Sequence, residues 1–585
     1  TTLSLVAVFL PVAFMDGIIG RFFRAFGLTM SFSILVSLGV AFSLTPMLSA
    51  RWLKRDALPA HDHAGPLERV YLRALRWAMK HRGAVVAGLL VVLASAVPLG
   101  RAVPGTLLPQ EDEGRFEIAL RAPPGTSLAQ STVLIDRVSR AVRAQPGVVR
   151  TVASAGSPEG DASARGPHEG SVYVQLVPAG DRARAQSAVM ADVRRMLAAQ
   201  FPTLEVVVGA VSDFGGSGAD AANVQLVLRG RSLAKLQAYA TQLLAAARRL
   251  PGTSDHTLST APPTPEHQLL PDRLRAAERG VSLEALATTV QLATASPRLA
   301  TLEDDGQTVP VHLALDPAWR SEPARILGIT VRADDGARVR LGALVDVRAG
   351  EGVGVIRRVG RERQVTLSLN TAPGVSEADA VRALLRAAEG LRMEPGYHIE
   401  TAGNAREMER AAVSFAGAVV LSLVLMYLVL AAQFESWLHP VTILLSLPLT
   451  VPFALLSLWV TRDSLNIFSA LGLLVLFGIV KKNAILQVER MRQLQDEGVP
   501  RLEAILRANA ERLRPILMTT LAFVAGMVPL LFSRGAGSGT HRTIAVTVMG
   551  GQTLVLVLSL LATPVAYSLF DDLQSRWRPA RVKAP

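Results

Sequence analysis

The hydrophobic pattern of this 585-residue chain has two textures. Apolar runs near the about 20 residues needed to cross a bilayer lie at about 1–15, 28–50, 84–103, 411–432, 439–460, 465–488, 515–533 and 543–570, and each predicts a membrane-spanning helix. Between the third and fourth runs, 104–407 interleaves apolar and polar positions. Alternating stretches such as Phe116–Arg121, Val172–Val177 and Val224–Leu228 predict strands, as do the segments near 309–315 and 364–370. Apolar residues at helical spacing predict helices over Ser131–Ala144, Ala185–Gln200 and Leu233–Leu250, and near 376–391. The recurring β-α-β order predicts α+β units of ferredoxin-like type, and the region is long enough for two or three of them. Gly156–Gly166 has no periodicity and reads as a loop. Leu67–Lys80 places Leu67, Val70, Tyr71, Ala74 and Ala78 on one face, which suits a helix on a membrane surface as well as it suits a solvated connector.

Composition agrees with a polytopic α-helical membrane protein carrying a large α+β domain. The chain is 50% hydrophobic and has no cysteine, so it has no disulfide framework, thiolate metal site or cysteine nucleophile. The net charge of +13 would suit nucleic acid, but 104–407 is roughly balanced and the excess sits beside the apolar runs. Segment 51–82 carries Arg51, Lys54, Arg55, Arg69, Arg73, Arg76, Lys80 and Arg82 against three acids, and the end of the chain carries Arg576, Arg578, Arg581 and Lys583. The positive-inside rule puts both in the cytoplasm and 104–407 on the outer side. Counting the spans gives the same sidedness, and nucleic acid is not a partner.

An internal repeat adds to this. Residues 11–46 match 529–564 without gaps: Pro11 with Pro529, Phe14 with Phe532, Gly17 with Gly535, Thr29 with Thr547, and Thr45-Pro46 with Thr563-Pro564. Tandem halves in one orientation are a transporter architecture. On this reading 1–50 holds the last two spans of a first copy, 84–570 is a nearly complete second copy, and the sequence is a fragment whose first copy lies mostly upstream of Thr1.

The chemistry concentrates at Lys481-Lys482, inside the apolar run Ile467–Val480 that resumes at Ala484. A lysine at membrane depth either snorkels, here toward Glu489, or is a buried functional charge needing a carboxylate. No Asp or Glu interrupts the other long apolar runs.

Several motifs resemble the resistance-nodulation-division (RND) transporters, specifically the hydrophobe/amphiphile efflux branch. They are Phe9–Phe14 with Gly20-Arg-Phe-Phe, Leu44-Thr-Pro-Met-Leu48, Leu108-Pro-Gln-Glu-Asp-Glu-Gly114 with Pro124-Gly-Thr-Ser127, and Ala432–Trp437. Gly478-Ile-Val-Lys-Lys-Asn-Ala-Ile-Leu486, Arg512-Leu-Arg-Pro-Ile-Leu-Met-Thr519 and Gly535-Ala-Gly-Ser-Gly539 are the most specific. The resemblance implies a drug/proton antiporter of the Gram-negative inner membrane, not an enzyme, with the proton as coupling ion and no cofactor. It further implies a trimer, homomeric or with a related RND subunit, joined by a periplasmic adaptor protein and an outer-membrane channel. The remaining partners would be hydrophobic small-molecule substrates and membrane lipid.

Laid on this chain, the resemblance implies a cytoplasmic connector at 51–83, a span at 84–103 and one periplasmic pore subdomain at 104–218. A second pore subdomain would combine 219–262 and 356–407 around a docking subdomain at 263–355. Five spans over 411–570 and a basic cytoplasmic tail at 571–585 would follow. Lys482 matches the family lysine that pairs with two aspartates, which would lie upstream of Thr1; Lys481 is a doubling whose side chain points about 100° away. Arg512 and Thr519 match the remaining relay positions. Arg512 also reads as an ordinary positive-inside arginine, and Thr519 as a threonine bonding its own helix backbone. Gly156, Ser157, Asp161 and Arg165 match a substrate-contacting loop that here lacks aromatics, and Asp16 stands where the family often has glycine. The alternatives are heavy-metal efflux, for which Met190, Met196, Met393 and five scattered histidines are a poor soft-ligand set, and a truncated, non-transporting remnant.

Overall fold

The computed structural model describes residues 2–52, 65–109, 111–156, 166–211, 222–260, 263–320, 322–352, 355–372, 374–535 and 537–577. The apolar runs are helical, since a segment in hydrocarbon must satisfy its own backbone N–H and C=O groups. Helix α1 (Thr2–Phe9) ends in a 3-10 turn at Pro11–Phe14, and Gly17, at φ +88°, turns the chain into α2 (Gly17–Trp52). Then come α3 (Pro66–Lys80), α4 (Arg82–Ala94) and α5 (Ala96–Ala102). Helix α3 buries Tyr71, Leu75, Ala78 and Met79, while Leu67 and Val70 of the expected apolar face are exposed. The rotation is set by Tyr71, whose hydroxyl donates to the Leu560 carbonyl at 3.0 Å and lies 3.3 Å from Asn509 Oδ1.

The sheet domain begins with β1 (Arg115–Arg121), α6 (Leu128–Arg143), β2 (Val148–Ala155), β3 (Glu169–Leu176), α7 (Gln186–Gln200) and β4 (Glu205–Ala210). Its antiparallel strand order is β2-β3-β1-β4. Phe116, Ile118 and Leu120 alternate inward from β1 to meet Ile135, Val138 and Val142 of α6 and Val189, Val193 and Leu197 of α7.

A second unit starts with β5 (Val224–Gly230), α8 (Leu233–Ala247) and β6 (Thr253–Leu258). The chain then leaves it. The excursion holds β7 (Thr264–Pro271), α9 (Arg273–Glu278), α10 (Leu283–Thr294), β8 (Arg298–Asp304), β9 (Gln307–His312), α11 (Pro317–Arg320) and α12 (Pro323–Leu327). It closes with β10 (Thr330–Arg332), β11 (Arg338–Arg340) and β12 (Val345–Gly352), which pairs antiparallel with β7 from Val345–Pro271 to Gly352–Thr264. The chain returns as β13 (Arg358–Val359), β14 (Glu362–Thr371), α13 (Glu377–Glu389) and β15 (His398–Ala402). The pairings β6–β14, β14–β5 and β5–β15 give the order β6-β14-β5-β15, the same winding as the first unit.

From β15 the chain passes straight into α14 (Gly403–Phe434), then α15 (Leu438–Leu444), α16 (Thr450–Thr461), α17 (Ile467–Asp496), α18 (Arg501–Leu531) and α19 (Ser538–Trp577). The run 439–460, read as one span, is two helices. Pro448 has no N–H to continue the ladder and disfavours helix before it, and the turn is held by Leu447 N–H to Leu444 O (3.0 Å) and Thr450 N–H to Leu447 O (2.9 Å). Among the described residues six helices, counting α4 and α5 as one, are long and apolar enough to cross a membrane. In α17 and α19, 67% and 56% of the apolar window is buried, against 22% or less in the other four, so these two form the centre of the bundle.

Candidate coupling site on the central helices

Helix α17 starts at a capping box in which Asn466 accepts the Phe468 and Ser469 N–H groups and Ser469 accepts the Asn466 N–H. Glycine lets the neighbours close on it. A Cβ at Gly472 would lie 3.0 Å from Thr547 of α19, and one at Gly478 would lie 3.1 Å from Leu5 of α1. Residues one helical repeat apart share a face, so Lys481 continues the Gly478 face toward α1. Lys481 is fully buried, and its Nζ donates to the Ser4 carbonyl oxygen.

Lys482, on the next face, is half-buried and makes no hydrogen bond or ion pair among the described residues. The enclosed lysine is therefore Lys481, the one assigned the lesser part on sequence grounds. Gly478 was the available signal, because a glycine one turn away leaves room for neighbouring side chains, here Leu5 and Phe9, to pack close.

Arg512 on α18 is half-buried, with its Nε enclosed and without an acceptor among the described residues. Thr519 is exposed and donates to its own helix at Ile516 O (3.1 Å). No hydrogen bond joins Lys482, Arg512 and Thr519 among the described residues. The adjacent Thr520 is buried, with Gln552 Nε2 of α19 at 3.5 Å. Gln487, five residues beyond Lys482, is buried with neither amide atom bonded to the described protein. These buried amides had no motif to announce them. Of the expected substrate loop, Ser157, Asp161 and Arg165 lie outside the described residues. Gly156 adopts φ +64°, and its N–H donates to Glu169 O at 2.8 Å.

The far ends of the helices are joined by charge. Arg82 at the start of α4 reaches Asp572 of α19 (2.7 Å), and Arg501 at the start of α18 reaches Asp571 (3.2 Å) and Asp572.

Membrane-length helices around two like-wound α+β units define a polytopic membrane protein with a large sheet domain. The chain belongs to the AcrB/AcrD/AcrF family of RND transport proteins, whose model matches residues 1–571. It is 29% identical over 597 residues to the multidrug resistance protein MdtC of Edwardsiella ictaluri (strain 93-146), covering 100% of this chain and 57% of that protein. It is 30% identical over 593 residues to the MdtC of Pantoea ananatis (strain AJ13355), with the same coverage. The chain thus spans a little over half the length of the curated relatives it matches. A crystal structure of a heavy metal efflux pump superposes with a TM-score of 0.82 at 23% identity, covering 98% of this chain and 58% of that one, a likeness of fold.

Proposed function

We propose that the whole protein exports hydrophobic or amphiphilic compounds in exchange for protons, as the inner-membrane subunit of a tripartite pump with a periplasmic adaptor and an outer-membrane channel. The reading rests on one observation: two lysines in mid-helix on α17, the most enclosed of the long helices, in a chain aligned end to end with multidrug resistance proteins. The sheet domain lies in the periplasm, with 104–218 and the split unit as pore subdomains and 263–355 as the docking subdomain. The end of the chain is cytoplasmic.

Lys482 holds a carboxylate of the whole protein ionised, because an ammonium within about 4–6 Å favours the charged form. A proton arriving from the outer side cancels that attraction. The helices then re-pack, so each proton biases a conformational equilibrium. Arg512 and Thr519 complete the relay. In the full-length pump, Lys482→Ala is expected to lower drug efflux roughly tenfold or more, about 1.4 kcal/mol in barrier terms, while membrane insertion and assembly persist. Wild-type drug tolerance in cells carrying that variant would sink the assignment. Loss of tolerance to metal salts alone would instead support the heavy-metal alternative.

A further inference from the structure

Adjacent carboxylates engage partners on opposite sides of the junction between the membrane helices and the sheet domain. Glu111 reaches the membrane side. Its Oε2 accepts the Gly537 N–H at 2.9 Å, and its Oε1 accepts the Thr540 N–H at 2.9 Å and the Thr540 hydroxyl. Gly537 immediately precedes α19 and Thr540 lies in its first turn, where the N–H groups have no intrahelical acceptor and negative charge is favoured. The turn is prepared by Gly535 and Gly537, both at positive φ (+101° and +79°).

Asp112 reaches the other way. Its Oδ2 accepts the N–H of Gln186, the first residue of α7, at 2.9 Å, and its Oδ1 pairs with Arg182, whose side chain is 5% exposed. The buried Gln186 side chain closes the corner, accepting the Gly114 N–H at 2.9 Å and donating to Arg115 O at 2.8 Å.

Just upstream, the strip 104–107 is stitched to the start of α17. Thr106 N–H meets Leu465 O (3.1 Å), Leu465 N–H meets Pro104 O (2.9 Å) and Ile467 N–H meets Leu107 O (3.3 Å). Consecutive Cα atoms are about 3.8 Å apart across a rigid peptide plane. The α19 and α7 termini therefore cannot separate without breaking charge-assisted hydrogen bonds, the stronger kind.

We propose that Glu111 and Asp112 form a two-headed joint that makes α19 and the α7 unit of the sheet domain move together, with Glu111 as a positioning residue for transport. The use in transport rests on the antiport reading; the joint itself does not.

Two measurements on the full-length protein separate them. In amide hydrogen exchange, Glu111→Ala is expected to speed exchange at 537–541 by about tenfold, and also at 186–188 by at least about twofold, because Asp112 loses its fixed neighbour. Asp112→Asn is expected to show the reverse weighting, and Glu111→Gln, which keeps one acceptor oxygen, an intermediate effect. Acceleration confined to 537–541 would reduce Glu111 to a local cap and overturn the joint.

In proteoliposomes, Glu111→Ala is expected to bind a fluorescent cationic dye within about twofold of wild type yet lose dye-stimulated proton uptake by about tenfold. Unchanged proton uptake, or dye binding lost in step with it, would overturn the positioning role. A wild-type protein that takes up no protons would overturn the antiport reading and the positioning role with it, while the exchange result on the joint would stand.

Discussion

Glu377, in the first turn of α13, is 6% exposed, and its carboxylate accepts one backbone N–H, from Leu107 at 3.3 Å. Burial pushes it up to about 7, only partly opposed by that hydrogen bond. The folded state therefore holds a proton more tightly than the unfolded chain, where a glutamate titrates near about 4.3. The sign follows: the contribution is complete below the unfolded value and is lost as pH rises through about 7. Between pH 4.5 and 7.5 the thermal midpoint of the chain in detergent is expected to fall more steeply for wild type than for Glu377→Gln. The difference is of order 3 kcal/mol at most, since the α13 N-terminus favours the charged form. Parallel curves for the two proteins would refute this. At this scale the sequence was partly legible: Lys481-Lys482 stands out inside an apolar run, whereas Glu377 is one acid among many in a balanced region. Which lysine faces inward depended on the neighbour α1, and tertiary contact is not written in helical period.

At the scale of elements, α19 carries two glycines where its neighbours press closest. A Cβ at Gly550 would lie 2.3 Å from the Ser457 Cβ of α16, and one at Gly551 would lie 2.4 Å from the Leu476 Cδ1 of α17. The first is the harder contact, because a Cβ moves only with its backbone. In residues 1–585, Gly550→Ala is expected to destabilise by about 1–3 kcal/mol as α16 is displaced. Gly526→Ala on α18, with open space around its Cβ, is expected to be neutral or slightly stabilising through helix propensity. Equal thermal midpoints for the two variants would contradict the packing argument. Element type was well signalled where the period was long: β1, β3, β5, α6, α7, α8 and α13 all fall where alternation or helical spacing placed them. The break between α15 and α16 was missed although Pro448 was visible, because an apolar run masks a turn whose residues, Ser446 apart, are themselves apolar. The strands β8 and β9 carry no inward alternation: they are exposed along their whole length.

For the molecule as a whole, coverage matters most: this chain spans 57% of the length of the Edwardsiella ictaluri MdtC, and Lys482 makes no ion pair with a carboxylate among the described residues. Residues 1–585 expressed alone in a pump-deficient strain are expected to give no drug tolerance, and co-expression of the remaining part of a full-length homologue is expected to restore some. Efflux by residues 1–585 alone would place the coupling acid within them. The repeat seen in sequence has a backbone counterpart, since Gly17 and Gly535 both take positive φ where the chain enters α2 and α19. The β7–β12 ladder has a mechanical consequence. It leaves and re-enters the second unit as two adjacent strands, so the excursion it carries is a cantilever with a single root. Eight paired residues give an arm of about 25 Å, and a tilt of about 5° at the root then carries the far end about 2 Å sideways. A repacking too small to disturb either sheet would be felt at the tip as a full step.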